Sequence, residues 1–103
     1  RTDLFLKERE AANHAGLMAA AIERAAAYAE AGASGFFAPA LVTPDLIAQL
    51  CEATPLPVNV MALPGAPDRA TLASLGVSRI SHGPGPWRAM QNWLTEAAAE
   101  AMA

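Results

Sequence analysis

The 103-residue chain has a single cysteine, Cys51, and few aromatic or basic residues. One cysteine excludes an internal disulfide and is typical of a reducing compartment, here the cytoplasm. Seven basic residues stand against ten acidic ones, with no basic cluster, which argues against nucleic-acid or anionic-membrane partners. No apolar run approaches the roughly 18 residues that span a bilayer. We therefore expect a cytoplasmic protein that binds neither nucleic acid nor membrane.

Several short motifs are also missing. The sequence contains no metal-ligand spacing of the HExxH or CxxC type, and no G-x-G-x-x-G fingerprint of a nucleotide-binding sheet. It has no initiator methionine, and it opens directly on the strand-like segment RTDLFL. We therefore expect the chain to be the downstream part of something longer.

Helical periodicity is clearest over residues 16–31, where alanine and larger apolar residues recur at three- and four-residue spacing. Gly32 is suited to end that helix, because glycine enters the left-handed backbone conformation without a Cβ penalty. The other predicted helices cover residues 43–53, 67–76 and 86–103.

Three of these boundaries carry specific signals. Thr43 is a candidate capping residue, and Pro44 suits the first helical position, where its missing N–H costs nothing. Asp68 is a candidate cap for the third helix and Gly76 its stop. Short apolar segments between the helices predict strands, at residues 1–5, 35–40, 58–62 and 77–84.

The order strand, helix, repeated four times, predicts an α/β fold with parallel strands covered by helices. Four such units are half of a (β/α)₈ barrel, whereas a small doubly wound sheet would suit 103 residues better. The missing glycine fingerprint and the truncated first strand favour the barrel. A half-barrel has two open sheet edges, so it would need its other half or a partner to be stable.

Three stretches taken together carry a family resemblance: RTD, AIERAAAYAEAGASGFFAPAL and PLPVNVMALPGAPDRATLASLGVSRISHGPGPWRAM. Together they resemble the isocitrate lyase/phosphoenolpyruvate mutase superfamily, and within it the phosphonomutase- and 2-methylisocitrate-lyase-like branch. The resemblance implies a (β/α)₈ TIM barrel of which residues 1–103 are about the last four βα units, as one incomplete domain. It also implies Mg²⁺-dependent lyase or mutase chemistry, making or breaking a C–C or P–C bond of a 2-oxo or enol acid.

The resemblance assigns a catalytic role to Arg1. It places this residue at the end of the fifth strand, in contact with the carboxylate or phosphonate of the substrate. A guanidinium suits that role, because it binds a carboxylate through two parallel hydrogen bonds and stabilises a developing enolate. Asp3 either orients Arg1 or caps the following loop. The alternative is that Arg1 is simply a solvated terminal residue.

Alternation in the segment PVNVM places Asn59 and Met61 on one face of a strand. If the flanking valines pack on the helices, Asn59 points into the barrel, where the family carries an asparagine near the substrate. The alternative is an asparagine whose hydrogen bonds are satisfied by neighbouring backbone. Gly65 lies in the loop MALPGAP, which either closes over the ligand or only makes turns.

Ser81 and His82 precede the loop GPGP after the last strand. Loops at this place in a barrel often bind anions through backbone N–H groups, so Ser81 is a candidate binding residue. Pro84 and Pro86 remove two such donors. A lone histidine at a strand end is more often structural than catalytic, and His14 is expected to be exposed to solvent.

Other residues count against particular chemistries. Cys51 lies on an apolar helix face and is interpreted as packing, not as a nucleophile. The family's lyase loop with its catalytic cysteine, and the acidic ligands of Mg²⁺, would lie upstream of this chain. Methylisocitrate-lyase-like proteins also carry a glutamate after the sixth strand, where this chain has Pro39 and Ala40. This departure favours the phosphonomutase-like members.

We expect the complete enzyme to act on a small anionic 2-oxo or phosphono acid and the chain by itself to be inactive. In this family the last helix is commonly exchanged between subunits, which implies a dimer or tetramer. Trp93 is expected to be buried in either arrangement of that helix. The alternatives are a non-catalytic half-barrel that pairs with itself or with a separate N-terminal half, and another phosphate-handling barrel.

Overall fold

The computed structural model describes residues 1–103 as a parallel three-stranded sheet with helices between the strands. None of the helices is both long enough and apolar enough to cross a membrane. The elements in chain order are α1 (Leu4–Lys7), a 3₁₀ helix (Ala11–Leu17), α2 (Met18–Glu30), β1 (Phe36–Phe37), α3 (Pro44–Ala53), β2 (Val58–Met61), α4 (Arg69–Ser74), β3 (Arg79–Ser81) and α5 (Gly85–Ala101).

The strands lie in the order β1-β2-β3, and both pairs are parallel. Phe37 is opposite Asn59, and Asn59 is opposite Arg79. This confirms the predicted α/β class with crossover helices. When parallel strands are joined by right-handed crossovers that always move in the same direction along the sheet, the crossover helices all lie on one side of it. The strands therefore have a helix-covered face and an opposite face.

The prediction of a first strand over residues 1–5 is wrong. A helix begins at Leu4, and the segment contributes one backbone hydrogen bond to the sheet, from Thr2 N–H to the carbonyl of Phe37 at 3.0 Å. Asp3 turns the chain into the helix directly afterwards, so no further strand pairing forms. The chain therefore has three strands, with Thr2 attached beside the first of them.

The hydrophobic core lies on the helix-covered face. Val58 and Val60 are buried while Asn59 and Met61 are only half-buried, which confirms the predicted alternation of β2. Alanines of α2 allow this helix to approach closely. The core consists of Phe5, Met18, Ala21, Ala25, Phe36, Ala38, Leu41, Ile47, Leu50, Val58, Val60 and Leu72.

Helix ends follow most of the sequence signals. The Asp68 carboxylate accepts a hydrogen bond from the Thr71 N–H at 2.8 Å, as a capping residue should. Gly76 follows the end of α4 with φ +95°, a left-handed backbone conformation that residues with a β-carbon disfavour. Thr43 occupies the N-cap position of α3, as predicted, but its side chain makes no capping hydrogen bond. Pro44 does occupy the first turn of α3.

The Asp68 cap makes the stability of α4 dependent on pH. Hydrogen bonding to Thr71 lowers the pKa of Asp68 below its ordinary value in the folded chain. A carboxyl whose pKa is lowered by folding contributes stability above its unfolded pKa and loses it as the pH falls through the folded pKa. We expect Asp68→Ala to lower the unfolding midpoint at neutral pH and to weaken the acid dependence. Thermal unfolding followed by circular dichroism checks this, and Asp68→Asn, which keeps the cap oxygen, should keep most of the neutral-pH stability.

The expectation that His14 is exposed is wrong, and Trp93 is not buried within this chain. His14 is 2% exposed, because its ring packs edge-on against Phe5 at 5.1 Å and its Nε2 lies 2.7 Å from the Glu8 carbonyl oxygen. Trp93 is 67% exposed, and no residue of α5 is buried. Helix α5 leads away from the sheet, which gives the chain an elongated shape of 57 × 26 × 26 Å.

Candidate functional site

Arg1 and Asp3 form an ion pair at the start of the chain. The distance from Arg1 Nε to Asp3 Oδ1 is 2.9 Å, with the two side chains 60% and 41% exposed. An exposed pair of this kind adds little to stability, since solvent screens it. Its effect is on orientation, because the contact uses Nε and leaves the terminal guanidinium nitrogens for another partner. Asp3 is thus paired with Arg1, and its side chain makes no capping hydrogen bond to α1.

Thr2, between these two residues, ties the segment to the body of the protein. Its hydroxyl oxygen accepts a hydrogen bond from Arg24 Nη1 of α2 at 3.2 Å, while its N–H donates to Phe37. Thr2 is itself buried. These contacts attach the backbone next to Arg1 to α2 and to the edge of β1, while the Arg1 side chain itself is 60% exposed.

Asn59 and Ser81 contact each other on the face of the sheet opposite the core. The Asn59 amide donates to the Ser81 hydroxyl oxygen at 2.9 Å, and the hydroxyl is 3.2 Å from Asn59 Oδ1, to which it donates in return. The Asn59 side chain is therefore held by a neighbouring strand and not by backbone groups. The rigid amide leaves one N–H and one oxygen lone pair for a ligand.

Four side chains lie in one row across this face. The Phe36 N–H donates to the carbonyl of Pro57, the residue before Val58, and Val58 is the cross-strand partner of Phe36. The Thr2 N–H donates to the Phe37 carbonyl in the same pattern. The same geometry places Arg1 opposite Phe37, which is followed by Asn59 and then Arg79. A cavity of about 320 Å³ is shared by this row; its lining is Arg1, Ser34, Gly35, Phe36, Phe37, Pro57, Asn59 and Arg79.

Met61 and Gly65 are less closely connected with that row. Met61 is half-buried on the Asn59 face, and Gly83 packs on it so tightly that a β-carbon would overlap the Met61 Sδ atom. Gly65 is exposed and has φ +87°, and a β-carbon there would meet no neighbouring atom. The structure thus brings Arg1, Asp3, Asn59, Met61 and Ser81 to one face, while Gly65 stands apart in its loop.

Neither Cys51 nor His82 lines the cavity shared by Arg1, Asn59 and Arg79. Partial burial, and then the charge of Glu52, raise the pKa of the Cys51 thiol. A thiol with a raised pKa is a poor nucleophile, in agreement with the interpretation of Cys51 as packing. His82 is exposed and lines a different, larger cavity of about 970 Å³ beside α4 and β3.

The residues present do not form a magnesium site. No three histidine, cysteine or acidic side chains lie close enough together to hold a metal ion. Asp3, which lies at the candidate site, is engaged with Arg1. A Mg²⁺ site built from three such side chains is therefore not present among residues 1–103.

Arg79 is the residue of this face that the sequence analysis did not single out. It lies opposite Asn59 and lines the same cavity as Arg1. The alternation in VSRIS was a usable signal, because it places Arg79 and Ser81 on one face and Ile80 on the other.

Known relatives share both this sequence and this fold. Two uncharacterised Mycobacterium tuberculosis proteins, from strains CDC 1551 / Oshkosh and H37Rv, are each 44% identical over 68 residues, or 66% of this chain. The chain spans only 26% of the length of these relatives. Their lack of a known activity means that they point to no particular substrate.

Two crystal structures from Burkholderia cenocepacia J2315 superpose on the chain. The first, provisionally named a phosphonomutase, is 44% identical with a TM-score of 0.90, over 98% of this chain and 40% of its own. The second, provisionally named a lyase/mutase, is 36% identical with a TM-score of 0.76, over 81% and 31%. The family described as phosphoenolpyruvate phosphomutase matches residues 1–102. The chain therefore belongs to the phosphoenolpyruvate phosphomutase family, within the isocitrate lyase/phosphoenolpyruvate mutase superfamily.

Proposed function

We propose that residues 1–103 are the last four βα units of a (β/α)₈ barrel, as one incomplete domain. The order β1-β2-β3, with Thr2 beside β1, supports this proposal, because neighbouring strands follow the chain in one constant direction. A doubly wound sheet reverses its strand order at a switch point, and no reversal occurs here. The first unit would be the short segment with Arg1, whose strand is completed by pairing with the other half.

The function we propose is lyase or mutase chemistry on a small anionic 2-oxo or phosphono acid, with a C–C or P–C bond made or broken. The observation that carries the proposal is that Arg1 and Asn59 line one cavity on a parallel sheet of this family. Arg1 would bind the substrate carboxylate or phosphonate and stabilise the negative charge that develops on an enolate. Asn59, held by Ser81, would donate its free N–H to a substrate oxygen.

In the proposed function, the metal ion has a single role. Mg²⁺, held by residues other than 1–103, would supply a charge that polarises the substrate. The work of the present residues is to bind and orient the anion: Arg1 through its guanidinium, Asp3 by holding that guanidinium, and Met61 as an apolar wall. Gly65 would act only if its loop closes over the substrate. We place the enzyme in the cytoplasm, on the cysteine count.

The test uses the parent polypeptide, meaning the longest natural chain that contains residues 1–103. It is assayed with Mg²⁺ against a panel of 2-oxo acids and phosphono acids, with product formation followed by nuclear magnetic resonance. We expect turnover of at least one member by the parent polypeptide and none by residues 1–103 alone. Turnover by the short chain would contradict the proposed division of the site, and no turnover by either would contradict the proposed function.

We also propose a homo-oligomer, a dimer or tetramer in which α5 is exchanged between copies. The support is that α5 buries none of its residues within the chain, even though it carries large apolar side chains. Trp87, Met90 and Trp93 are all more than half exposed. The cavity of about 970 Å³ beside α4 and β3 is the place where the helix after β3 would cover the sheet. Leu72 and Ile80 give it an apolar lining that α5 of a second copy would fit.

Trp93→Glu tests the exchange. A buried carboxylate in an apolar groove is costly, so we expect the variant of the parent polypeptide to be a monomer where the unaltered protein is a dimer or tetramer. Analytical ultracentrifugation gives the mass directly. Gln91→Glu, the same charge on nearly the opposite side of α5, is the matched control and should leave the oligomer intact. A monomeric unaltered protein would contradict the exchange.

A non-catalytic half-barrel that pairs through its sheet edges remains the second candidate. It is favoured by one observation, the free edge of β3, whose backbone groups have no partner strand. In this case residues 1–103 alone would form an obligate dimer in gel filtration, and Trp93→Glu would leave that dimer intact because the contact is at the strands.

A further inference from the structure

We propose that Arg79 is a second anion-binding residue, which acts with Arg1 on one small dianion. The starting observation is the register of the sheet: Arg1, Phe37, Asn59 and Arg79 occupy the same level of four neighbouring segments. Three strand spacings separate the two arginine backbones by about 14 Å, a gap that two arginine side chains leaning toward each other over the same face are long enough to bridge. Asn59 lies between them.

The charge balance of the cavity supports the same conclusion. Its lining contains two arginines and no aspartate or glutamate. The single ion pair of the chain, between Arg1 and Asp3, leaves Arg79 without a carboxylate partner. Two guanidiniums beside a shared space that has no carboxylate in its lining favour an anion there, and a ligand with two negative charges would pair with both.

The position of Arg79 along its strand is compatible with this role. Ser34, Gly35 and Pro57 precede β1 and β2, so the cavity extends toward the amino ends of the strands. The carboxyl end of β3 is only two residues beyond Arg79, about 7 Å, which the length of an arginine side chain covers. An extended Arg79 side chain is therefore long enough to reach the level where Asn59 meets Ser81.

The role of Arg79 rests on the proposed function of Arg1 and is tested by ligand binding. Malonate, a small dicarboxylate, is titrated into the parent polypeptide by calorimetry in the presence of Mg²⁺, with acetate as the monoanion. We expect Arg79→Gln to weaken malonate binding about 10- to 100-fold, the loss of a charge-assisted hydrogen-bond pair, and to change acetate binding much less. Raising the ionic strength should weaken binding to the unaltered protein more than to this variant.

The controls separate binding from folding. Arg9→Gln removes an exposed arginine of the loop after α1 and should bind malonate as the unaltered protein does. Arg79→Lys keeps the charge without the planar fork, so intermediate affinity is expected, and this variant serves if Arg79→Gln fails to fold. Unchanged malonate affinity in the Arg79 variants, or a fall in thermal stability alone, would overturn the role of Arg79 and indicate a structural arginine.

The outcome for Arg1→Gln distinguishes the two proposals. If Arg1→Gln loses malonate and the Arg79 variants do not, the proposed function stands and the role of Arg79 falls. If neither variant affects binding, or the unaltered protein binds no malonate, the anion-binding roles of Arg79 and Arg1 both fall, while the proposed reaction is judged by the turnover assay.

Discussion

Arg1→Gln in the parent polypeptide should lower kcat by roughly 100- to 1,000-fold, the range seen when a donor to a developing oxyanion is removed. Glutamine keeps a polar side chain of reduced length but has no charge and no fork of parallel N–H donors. The loss should fall mainly on kcat, because stabilisation of an enolate is needed only after the substrate has bound. Steady-state kinetics with the best substrate of the panel measures it.

The matched control for Arg1→Gln is Arg9→Gln, which removes an exposed arginine from the same part of the chain. Its kcat should stay close to that of the unaltered enzyme. Asp3→Asn adds a graded case: the ion pair is lost but Arg1 remains, so a smaller fall in kcat is expected. Equal activity of Arg1→Gln and Arg9→Gln would show that the chemistry does not use Arg1.

Leu50→Ala should destabilise the fold by about 2–5 kcal/mol, the range for removing a large apolar side chain from a packed core. Leu50 is 0% exposed and lies in α3, next to the buried face of the sheet. Few other residues can fill the space, because alanines supply much of the core on the side of α2. Denaturant unfolding of the parent polypeptide, followed by circular dichroism, gives the free energy of unfolding.

The same substitution at Leu6 is the control for Leu50→Ala. Leu6 is 42% exposed in α1, so Leu6→Ala should change the free energy of unfolding by about 0.5 kcal/mol or less. Equal effects at the two positions would mean that the packing around Leu50 is looser than the structure shows.

Local signals predicted much of this fold because they act over a few residues. Asp68 caps α4 and Gly76 follows it in a left-handed conformation, both as their neighbours in the sequence indicate. Alternation around Asn59 gave the correct inward and outward faces of β2. These features depend on backbone geometry and on periodicity, which the sequence contains directly.

Other features depend on distant partners, and these predictions were wrong or missing. A strand needs a neighbour along its length, and Thr2 finds only one bond before the chain turns. His14 reads as exposed from its polar surroundings, yet Phe5 and the Glu8 carbonyl enclose it. The apolar face of α5 was recognised, but periodicity cannot say whether the partner of Trp93 lies in the same chain.

The same distinction between local signals and distant partners applies to the candidate site. Arg1 and Asn59 were selected from the family resemblance and the alternation of β2, and the structure places both at one cavity. Arg79 was missed because its importance comes from register: only strand pairing shows that it lies opposite Asn59. The Asn59–Ser81 contact likewise joins residues that are 22 positions apart.

The outward course of α5 has a thermodynamic consequence. In the proposed oligomer, α5, which buries nothing within residues 1–103, gains its burial free energy by packing on a second copy. Mass action then governs that part of the stability, so the melting temperature should rise with protein concentration and fall on dilution. At low protein concentration, α5 would be the first part of the protein to lose its helical structure. A change in the fluorescence of its two tryptophans would report this loss.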